Sequence, residues 1–446
     1  MSPPPGLVES LACPRCGGAL IARESGLGCE GCRAQYPQFG NIFCLVPDSA
    51  LWRTLWLRRF DDYSSSIELR VASLRQEAEA PDLLPLTQQR LRRLADGFEQ
   101  QLEGLAALFS VMEVDADPLP STAIPSRPEV GTQVPVLEYQ EHIFRDWVWG
   151  QRECAEALEF IGPAVPSQLS RVAIYGAGAG RLAVDLHRSR EPTHTFALDL
   201  NPAPFLVADR LLAGGQVDLP EFPVDPNSAD EVVIDRKLTL PYPVRPGFSL
   251  LFADALRPPF APGSLDAVVT CWFIDVAGAD LRQTAASINR VLRPGGLWIN
   301  VGPLRFRSVP SRAYSIEETV ELAKLAQFEV QSNDRQDIAY LDSPVSGSRR
   351  SETVFRFVAR KTGEASAVEI PDPLPPWVAN TLAPIPVTPA LVALGRTSIF
   401  TSGVLSMIDG TRSIVDVARA LGSAWGVEPT RLHDELRVFL ARLPSS

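Results

Sequence analysis

The sequence predicts an α/β fold with a doubly wound, mainly parallel sheet. Short strands rich in β-branched residues alternate with helical stretches after about residue 171, and a glycine-rich turn joins the first strand to the first helix. An alternating apolar stretch at 353–360 predicts a last strand. The other strands are predicted at 171–175, 195–198, 250–253, 267–271 and 296–301, and the helices between them at 181–188, 204–212 and 280–292.

Composition limits the classes of protein to which the chain can belong. Its 446 residues suffice for two to four domains of roughly 150 residues. Hydrophobic residues make up 45% and charged residues 21%, which indicates a folded chain with a sizeable core. The net charge is −11 and no basic run is present, so a nucleic acid is not an expected partner. We expect a cytoplasmic protein with no membrane partner, because no stretch approaches the roughly 18 apolar residues of a membrane span.

Two Cys-x-x-Cys pairs lie near the N-terminus. Cys13, Cys16, Cys29 and Cys32 can present four thiolates to one tetrahedral ion. Four soft sulfur ligands favour Zn²⁺. The ion would be structural, because a unit this small has too little hydrophobic core to fold without it. Chance thiols or a redox pair are the alternative. Residues 1–48 are therefore predicted to form a zinc ribbon that ends in short strands.

Residues 49–135 are predicted to form a helical segment and a linker. Apolar residues recur every three or four positions from Leu86 to Phe109, whereas the stretch 113–135 has five prolines and no periodicity. A second helical segment, from Glu138 to about Phe160, leads into the sheet domain, for which we predict bounds of 136–362. An insertion at 214–246 is expected to form a lid or part of a substrate pocket.

The glycine-rich turn reads Gly176-Ala-Gly178-Ala-Gly180. Glycine permits a tight turn and lets a ligand approach the backbone. Asp199 ends the next strand, where a carboxylate can accept protons from ribose hydroxyl groups. The spacing departs from the dinucleotide motif Gly-x-Gly-x-x-Gly, which favours S-adenosylmethionine over NAD as the cofactor. Asp254 ends the third strand, beside the expected adenine position; a solvated loop acid is the alternative for each carboxylate.

Three stretches of the sheet domain resemble the carnosine N-methyltransferase family, and the glycine loop is similar as well. They are His142-Ile-Phe-Arg-Asp-Trp147, Thr270-Cys-Trp-Phe-Ile-Asp275 and Leu292-Arg-Pro-Gly-Gly-Leu-Trp-Ile-Asn-Val-Gly-Pro-Leu304. The resemblance covers about 138–361 and implies a sheet of class I methyltransferase type. It also implies S-adenosylmethionine as the cofactor, and an imidazole of a histidine-containing dipeptide or protein as the methyl acceptor. Residues 1–48 resemble the small zinc-ribbon proteins that activate some methyltransferases.

The resemblance further implies roles for individual residues. Asp275 would hold the imidazole, because a carboxylate that accepts one ring N–H leaves the lone pair of the other nitrogen available. The alternative is that this carboxylate caps the following helix. Trp272 and Tyr340 would contact the acceptor. Arg145 would bind the cofactor carboxylate, and the other cofactor contacts would come from Gly176, Gly178, Gly180, Asp199, Asp254 and Ala255.

The chain departs from the family pattern at two places. Arg307 stands where the family has a histidine, three residues beyond Gly-Pro-Leu, and we assign it to the acceptor site. The stretch Ser346–Glu352 replaces a tyrosine-rich stretch, so that Tyr340 is the nearest phenol. Arg307, Arg349 and Arg350 are either contacts for a carboxylate or phosphate of a different substrate, or exposed surface charge. The histidines show no metal-binding spacing and are interpreted as ordinary surface or pocket residues.

A last unit, predicted at 388–446, follows a proline-rich connector. The stretch from Leu394 to Ala418, with its closing helix, resembles a PqqD-like peptide-binding module, a relative of the winged helix. Such a module captures a peptide by strand addition, so a peptide is a candidate partner of this unit. A structural winged helix or a dimerisation unit is the alternative. Helices are predicted at 413–421 and 430–443.

Taken together, these features predict an S-adenosylmethionine-dependent N-methyltransferase with a small-molecule or peptide acceptor. One alternative keeps the enzyme but moves the methyl group to an amine, hydroxyl or carboxylate of a ribosomally made peptide. Another is a regulatory scaffold that binds the cofactor without catalysis. The presence of Gly176, Asp199 and Asp275 argues against the scaffold, which needs no acid that orients an acceptor.

Overall fold

A computed structural model of the chain describes residues 7–113, 136–137, 139–277, 280–306, 310–348, 350–366, 368, 382–387 and 403–441. The chain divides into two compact units. The larger comprises Met1–Asp117 and Val130–Val368, and the smaller comprises Pro118–Glu129 and Glu369–Ser446. The finer domain bounds given above stay predictions.

The described part of the larger unit contains both strands and helices. Its strands are β1 (Leu20–Arg23), β2 (Gly26–Cys29), β3 (Gln35–Phe39), β4 (Ile42–Leu45), β5 (Arg171–Tyr175), β6 (His194–Asp199), β7 (Val217–Glu221), β8 (Ile234–Leu238), β9 (Phe248–Ala253), β10 (Leu265–Cys271), β11 (Leu292–Gly302), β12 (Phe328–Ala339) and β13 (Ser351–Lys361). Its helices are α1 (Leu7–Ser10), α2 (Ser49–Glu77), α3 (Pro85–Glu113), α4 (Gln140–Phe144), the π-helix Arg145–Trp149, α5 (Gln151–Ile161), α6 (Arg181–Arg190), α7 (Pro202–Leu212), α8 (Leu281–Val291) and α9 (Ile316–Leu325).

The central sheet has the topology of a class I methyltransferase. Strands β9, β6, β5, β10 and β11 are parallel neighbours in that order, and the antiparallel β13 separates β11 from the edge strand β12. The chain runs outward from β5 to β6 and β9 and then returns to β10 on the other side of β5. The parallel strands therefore end at one edge of the sheet, where ligands of doubly wound folds bind. The predicted α/β class is confirmed.

Strand β12 has no counterpart among the predicted strands. It is an edge strand, paired with β13 alone, and most of its residues from Glu329 to Asp337 are exposed. A strand with so little buried surface shows no apolar run or alternation in the sequence. All the strands that were predicted for the sheet domain are present, with ends that differ by a few residues.

The cysteine-rich segment continues the central sheet instead of standing apart from it. Strands β1 to β4 pair in antiparallel order, and β4 then pairs in parallel with β9 through Phe43↔Leu251 and Leu45↔Ala253. The described sheet thereby reaches 11 strands. Pairing with β4 covers the backbone hydrogen-bonding groups that β9 would otherwise expose as an edge strand.

Helices α2 and α3 lie in the predicted helical segment and pack against each other as a hairpin. Asp48 caps α2, since its carboxylate accepts a hydrogen bond from the Leu51 N–H at 3.0 Å. Trp52 packs on Phe252 of β9 with ring centroids 4.9 Å apart, and Phe60 stacks on Phe109 of α3 at 4.5 Å. The first contact attaches the hairpin to the sheet, and the second joins its two helices.

The insertion at 214–246 contains an antiparallel pair, β7 and β8. It packs on α3 at two glycines that lie two turns apart. A Cβ on Gly97 would lie 2.6 Å from Val233 Cγ1, and one on Gly104 would lie 2.7 Å from Leu219 Cδ2. The absence of a side chain at these positions lets the insertion approach the helix closely.

The smaller unit contains α10 (Ile414–Trp425) and α11 (Pro429–Ala441), which confirms both helices predicted there. Ser413 and Asp416 form a capping box at the start of α10. Ile385 packs with apolar residues of both helices. Residues 388–402, which include the first part of the PqqD-like stretch, lie outside the described residues. No helix in the described ranges is long and apolar enough to cross a membrane.

Candidate functional site

The residues predicted to bind cofactor and acceptor gather at the carboxyl edge of the parallel strands. Gly176 follows β5, Asp199 ends β6, Asp254 follows β9 and Trp272 follows β10. This arrangement follows from topology, because parallel strands joined by helices end on the same side.

The glycine loop needs glycine at each of its three positions. The φ angles of Gly176, Gly178 and Gly180 are +68°, +57° and +89°, a region that side chains disfavour. Gly176 also faces a close neighbour, since a Cβ there would lie 3.0 Å from Phe273 Cβ. The loop thus leads directly into the N-terminus of α6 with its backbone accessible.

Asp199 fastens the glycine loop to the end of β6. Its Oδ2 accepts a hydrogen bond from the Gly178 N–H at 2.8 Å, and its Oδ1 accepts from the N–H groups of Leu200 and Asn201 at 2.7 and 3.0 Å. Burial raises the pKa of this carboxyl group, and these hydrogen bonds oppose the rise. Three of roughly four acceptor positions are occupied. The carboxylate therefore keeps acceptor capacity for a ligand hydroxyl group.

Asp254 and Ala255 form the next part of this edge. The Asp254 Oδ1 accepts a hydrogen bond from the Leu256 N–H at 2.8 Å, and burial raises the pKa of its carboxyl group. Ala255 is buried. Both residues follow β9, the strand with which β4 pairs.

Arg145 begins the π-helix, a distortion that is frequent at functional sites. Its guanidinium contacts the carboxylates of Asp146 at 2.7 Å and Glu153 at 3.4 Å. Burial alone would lower the pKa of Arg145, but these acids raise it above its usual range. Asp146 also accepts from the Arg181 N–H at 3.2 Å, and the Trp147 indole donates to the Ala179 carbonyl at 3.0 Å. The π-helix is thus held against the glycine loop.

Asp275 lies in the turn after β10 and is 7% exposed. Its Oδ2 accepts a hydrogen bond from the Arg305 N–H at 2.9 Å, and burial raises its pKa. The residue that caps α8 is Asp280, whose carboxylate accepts from the Arg282 N–H. Helix capping therefore does not account for Asp275, and its buried carboxylate keeps acceptor capacity for a ligand N–H.

Trp272 and Tyr340 form an aromatic wall, and Trp272 lies in the same turn after β10 as Asp275. Trp272 stacks on Tyr340 with ring centroids 6.1 Å apart, and the Tyr340 hydroxyl lies 2.8 Å from His142 Nε2. Trp272 has φ +47°, and Gly302 makes room for it, since a Cβ on Gly302 would lie 2.9 Å from Trp272 Cα. Burial raises the pKa of Tyr340 to about 12, so the phenol is neutral at physiological pH.

Glu352 and His142 contact the aromatic wall, and the sequence did not predict these contacts. Glu352, 5% exposed, accepts from the Trp272 indole at 3.0 Å and contacts Arg305 Nη1 at 2.9 Å. His142 has a buried Nδ1 without a partner among the described residues, and burial lowers its pKa well below the usual value. The departure of 346–352 from the family pattern was the available signal for Glu352. Arg307 and Arg349 lie outside the described residues.

The four cysteines of the two pairs come together. The Sγ atoms of Cys13, Cys16, Cys29 and Cys32 lie within 4.8 Å of one another, and neighbouring pairs are 3.5 and 3.6 Å apart. A tetrahedral zinc site with Zn–S bonds of about 2.3 Å requires sulfur separations of about 3.8 Å. The donor set and its dimensions fit Zn²⁺.

Part of the sheet domain is similar to known proteins. Residues 231–362 match the family model described as carnosine N-methyltransferase. The carnosine N-methyltransferase of Dictyostelium discoideum is 25% identical over 216 residues, which cover 43% of this chain and 45% of that protein. Carnosine N-methyltransferase unmet of Drosophila melanogaster is 35% identical over 80 residues, 18% of this chain and 17% of that protein. The chain thus spans less than half of either relative, and these matches support an S-adenosylmethionine-dependent methyltransferase.

Two solved structures are similar only at a coarse level. A complex of the Haloferax volcanii Trm112 methyltransferase activator with a methyltransferase gives a TM-score of 0.36 at 17% identity, covering 53% of this chain and 100% of that chain. Haemonchus contortus phosphoethanolamine N-methyltransferase 2 with S-adenosyl-L-methionine gives 0.35 at 15% identity, covering 55% and 62%. These scores are too low to inform function.

Proposed function

We propose that the protein is an S-adenosylmethionine-dependent N-methyltransferase that methylates an imidazole nitrogen. The observation that carries the proposal is the buried Asp275 carboxylate, which caps no helix and is connected to Trp272 through Arg305 and Glu352. The match of 231–362 to the carnosine N-methyltransferase family supports it. The residues that would hold the cofactor are Arg145, Gly176, Gly178, Gly180, Asp199, Asp254 and Ala255.

The chain's own groups would act mainly by alignment. S-adenosylmethionine, when bound, supplies a methyl group on an electrophilic sulfonium centre. Asp275 would accept the N–H of one imidazole nitrogen, which fixes the tautomer and directs the lone pair of the other nitrogen outward. The Arg305 N–H holds that carboxylate in place. Because methyl transfer from such a centre to a neutral nitrogen would depend mainly on alignment, an orienting carboxylate and a shaped pocket would be the chain's main contribution to catalysis.

Methyl transfer to carnosine and to histidine-containing peptides, located by mass spectrometry, tests the proposal. We expect Asp275→Asn to lower kcat/KM by at least roughly a hundredfold while the affinity for S-adenosylhomocysteine changes little. Asp62→Asn, an exposed acid of α2, is the matched control. Label on another atom would replace the acceptor, and cofactor binding without transfer would favour the scaffold.

We also propose that the cysteine cluster binds a structural Zn²⁺ ion within a zinc ribbon, supported by its donor set and dimensions.

For 388–446 we propose a peptide-binding module, supported by the sequence resemblance and by the two packed helices. Such a module would deliver a peptide acceptor. A chain that ends at 387 should then methylate carnosine as well as the full chain does but lose activity on longer peptides.

A further inference from the structure

A cleft in the larger unit is lined in part by Arg350, whose guanidinium also lies over the Tyr340 ring of the aromatic wall. Three segments form it: helix α4 with the π-helix, the chain just after β7, and the described loop residues 341–348 and 350. Glu221 joins all three, because its Oε1 accepts from the Trp149 indole at 3.0 Å and the Ser343 hydroxyl at 3.4 Å. Its Oε2 accepts from Arg236 Nε at 2.6 Å. The cleft therefore has a buried, hydrogen-bonded frame.

The polar groups of the cleft wall leave few donors for a ligand. The hydroxyl protons of Ser346 and Ser348 are donated to the Val224 carbonyl at 2.7 Å and to Asp225 at 2.8 Å. A serine has one hydroxyl proton, so these side chains can only accept from a ligand in their present bonds. Phe144, Trp149 and Leu341 add apolar surface. Arg350 brings a positive charge to the same wall.

Arg350 is positioned to serve the acceptor site. Its guanidinium carbon lies 5.5 Å from the Tyr340 ring centroid, and its carbonyl accepts from the Tyr340 N–H at 3.1 Å. Tyr340 in turn stacks on Trp272, so Arg350 contacts the aromatic wall directly through Tyr340. The Arg350 guanidinium is 49% exposed and lies 3.6 Å from Glu141, which is 43% exposed. An ion pair this long and exposed holds its partners weakly and can exchange for a ligand anion.

We propose that this cleft is a second subsite for the methyl acceptor, and that Arg350 binds the carboxylate of a short histidine-containing peptide. The inference rests on the function proposed above and adds a selectivity for acidic acceptors. A guanidinium accepts a carboxylate through two parallel hydrogen bonds, so the subsite discriminates a free acid from the corresponding amide.

The experiment compares carnosine with its C-terminal amide, in transfer assays and by calorimetry in the presence of S-adenosylhomocysteine. We expect the full-length protein to prefer the acid by about tenfold, mainly through KM. Arg350→Gln should bring the preference close to one and leave the amide unaffected. Glu141→Gln should tighten binding of the acid about twofold, because it removes the competing carboxylate. Arg335→Gln, on the exposed edge strand β12, is the matched control.

Equal binding of acid and amide by the unmodified protein, or no binding of either, would overturn the subsite, and neither result depends on a variant that folds. A preference unchanged in Arg350→Gln would do the same. Acid-selective binding that Arg350→Gln abolishes, without methyl transfer, would confirm the subsite and refute the proposed reaction instead.

Discussion

Glu352 links the two groups that shape the acceptor site. Its carboxylate receives the Trp272 indole N–H on one oxygen and Arg305 Nη1 on the other. Arg305 also donates its backbone N–H to Asp275. A single buried carboxylate therefore holds the aromatic wall and the loop that orients Asp275, and it acts through these residues without contacting the acceptor.

Replacing Glu352 with Gln should loosen this arrangement without unfolding the protein. A lost hydrogen bond to a charged group is worth roughly 1.5 kcal/mol or more, so we expect kcat/KM for the acceptor to fall about tenfold. The affinity for S-adenosylhomocysteine should stay within about twofold, as measured by calorimetry. Glu329→Gln, an exposed residue on β12, provides the control. If both variants lost activity equally, the positioning role would be rejected.

His194 makes stability depend on pH. It begins β6, stacks on Phe196 at 4.3 Å and contacts the Ser249 hydroxyl at 3.1 Å. Burial, with smaller effects of His187 and Arg171, lowers its pKa to about 4. The unfolded chain, with a histidine pKa of about 6.5, therefore binds the proton more readily, and stability falls as the pH falls below that value.

The expected loss attributable to His194 is about 2 kcal/mol between pH 7 and pH 5. Urea unfolding at the two pH values measures it, and His194→Gln should remove that part of the dependence. An unchanged pH dependence in this variant would show that His194 does not carry the effect.

Among the elements, α3 determines where the insertion lies. Gly97 and Gly104 face Val233 and Leu219 of the insertion at distances that leave no room for a side chain. Phe222 and Val224, just beyond β7, line the cleft. A displacement of the insertion at α3 would therefore change the shape of the cleft.

Gly104→Leu tests this link. A large side chain should push Leu219 outward, lower the melting temperature by several degrees and raise the acceptor KM severalfold, whereas Gly104→Ala should do so less. Ala106→Leu adds a leucine to an exposed position of the same helix and should leave both quantities unchanged. A KM unaffected by Gly104→Leu would separate the insertion from acceptor binding.

At the scale of the whole larger unit, the cysteine cluster and the cofactor site share one sheet. Strand β4 pairs with β9, and the last pair, Leu45↔Ala253, directly precedes Asp254. Loss of the metal should disorder the small strands, uncover the edge of β9 and loosen the chain that bears Asp254.

Cys13→Ser should therefore reduce bound zinc from about one ion per chain and weaken S-adenosylhomocysteine binding on the order of tenfold. Elemental analysis and calorimetry measure the two quantities. Cys154→Ser replaces a buried thiol outside the cluster and should change neither. Retained zinc would refute the metal site, and unchanged cofactor affinity without zinc would refute the coupling.

The sequence by itself determined the α/β class, the strands β5, β6, β9, β10, β11 and β13, the cysteine cluster and the glycine loop. Each depends on a local signal: the periodicity of apolar residues, the spacing of two Cys-x-x-Cys pairs, or glycines at a strand end. Asp199, Asp254 and Trp272 could also be placed, because topology brings the ends of parallel strands to one edge.

Only the tertiary structure decided that β4 extends the central sheet, that β12 forms its edge, and that Glu352 holds Trp272 from 80 residues away. These contacts join segments with no mutual signal in the sequence. The edge that a strand covers depends on the surfaces that remain after the local elements have formed and packed. The same is true of the carboxylate that meets a given indole. The indole N–H of the partly buried Trp272 then finds its acceptor in Glu352, from the neighbouring part of the fold.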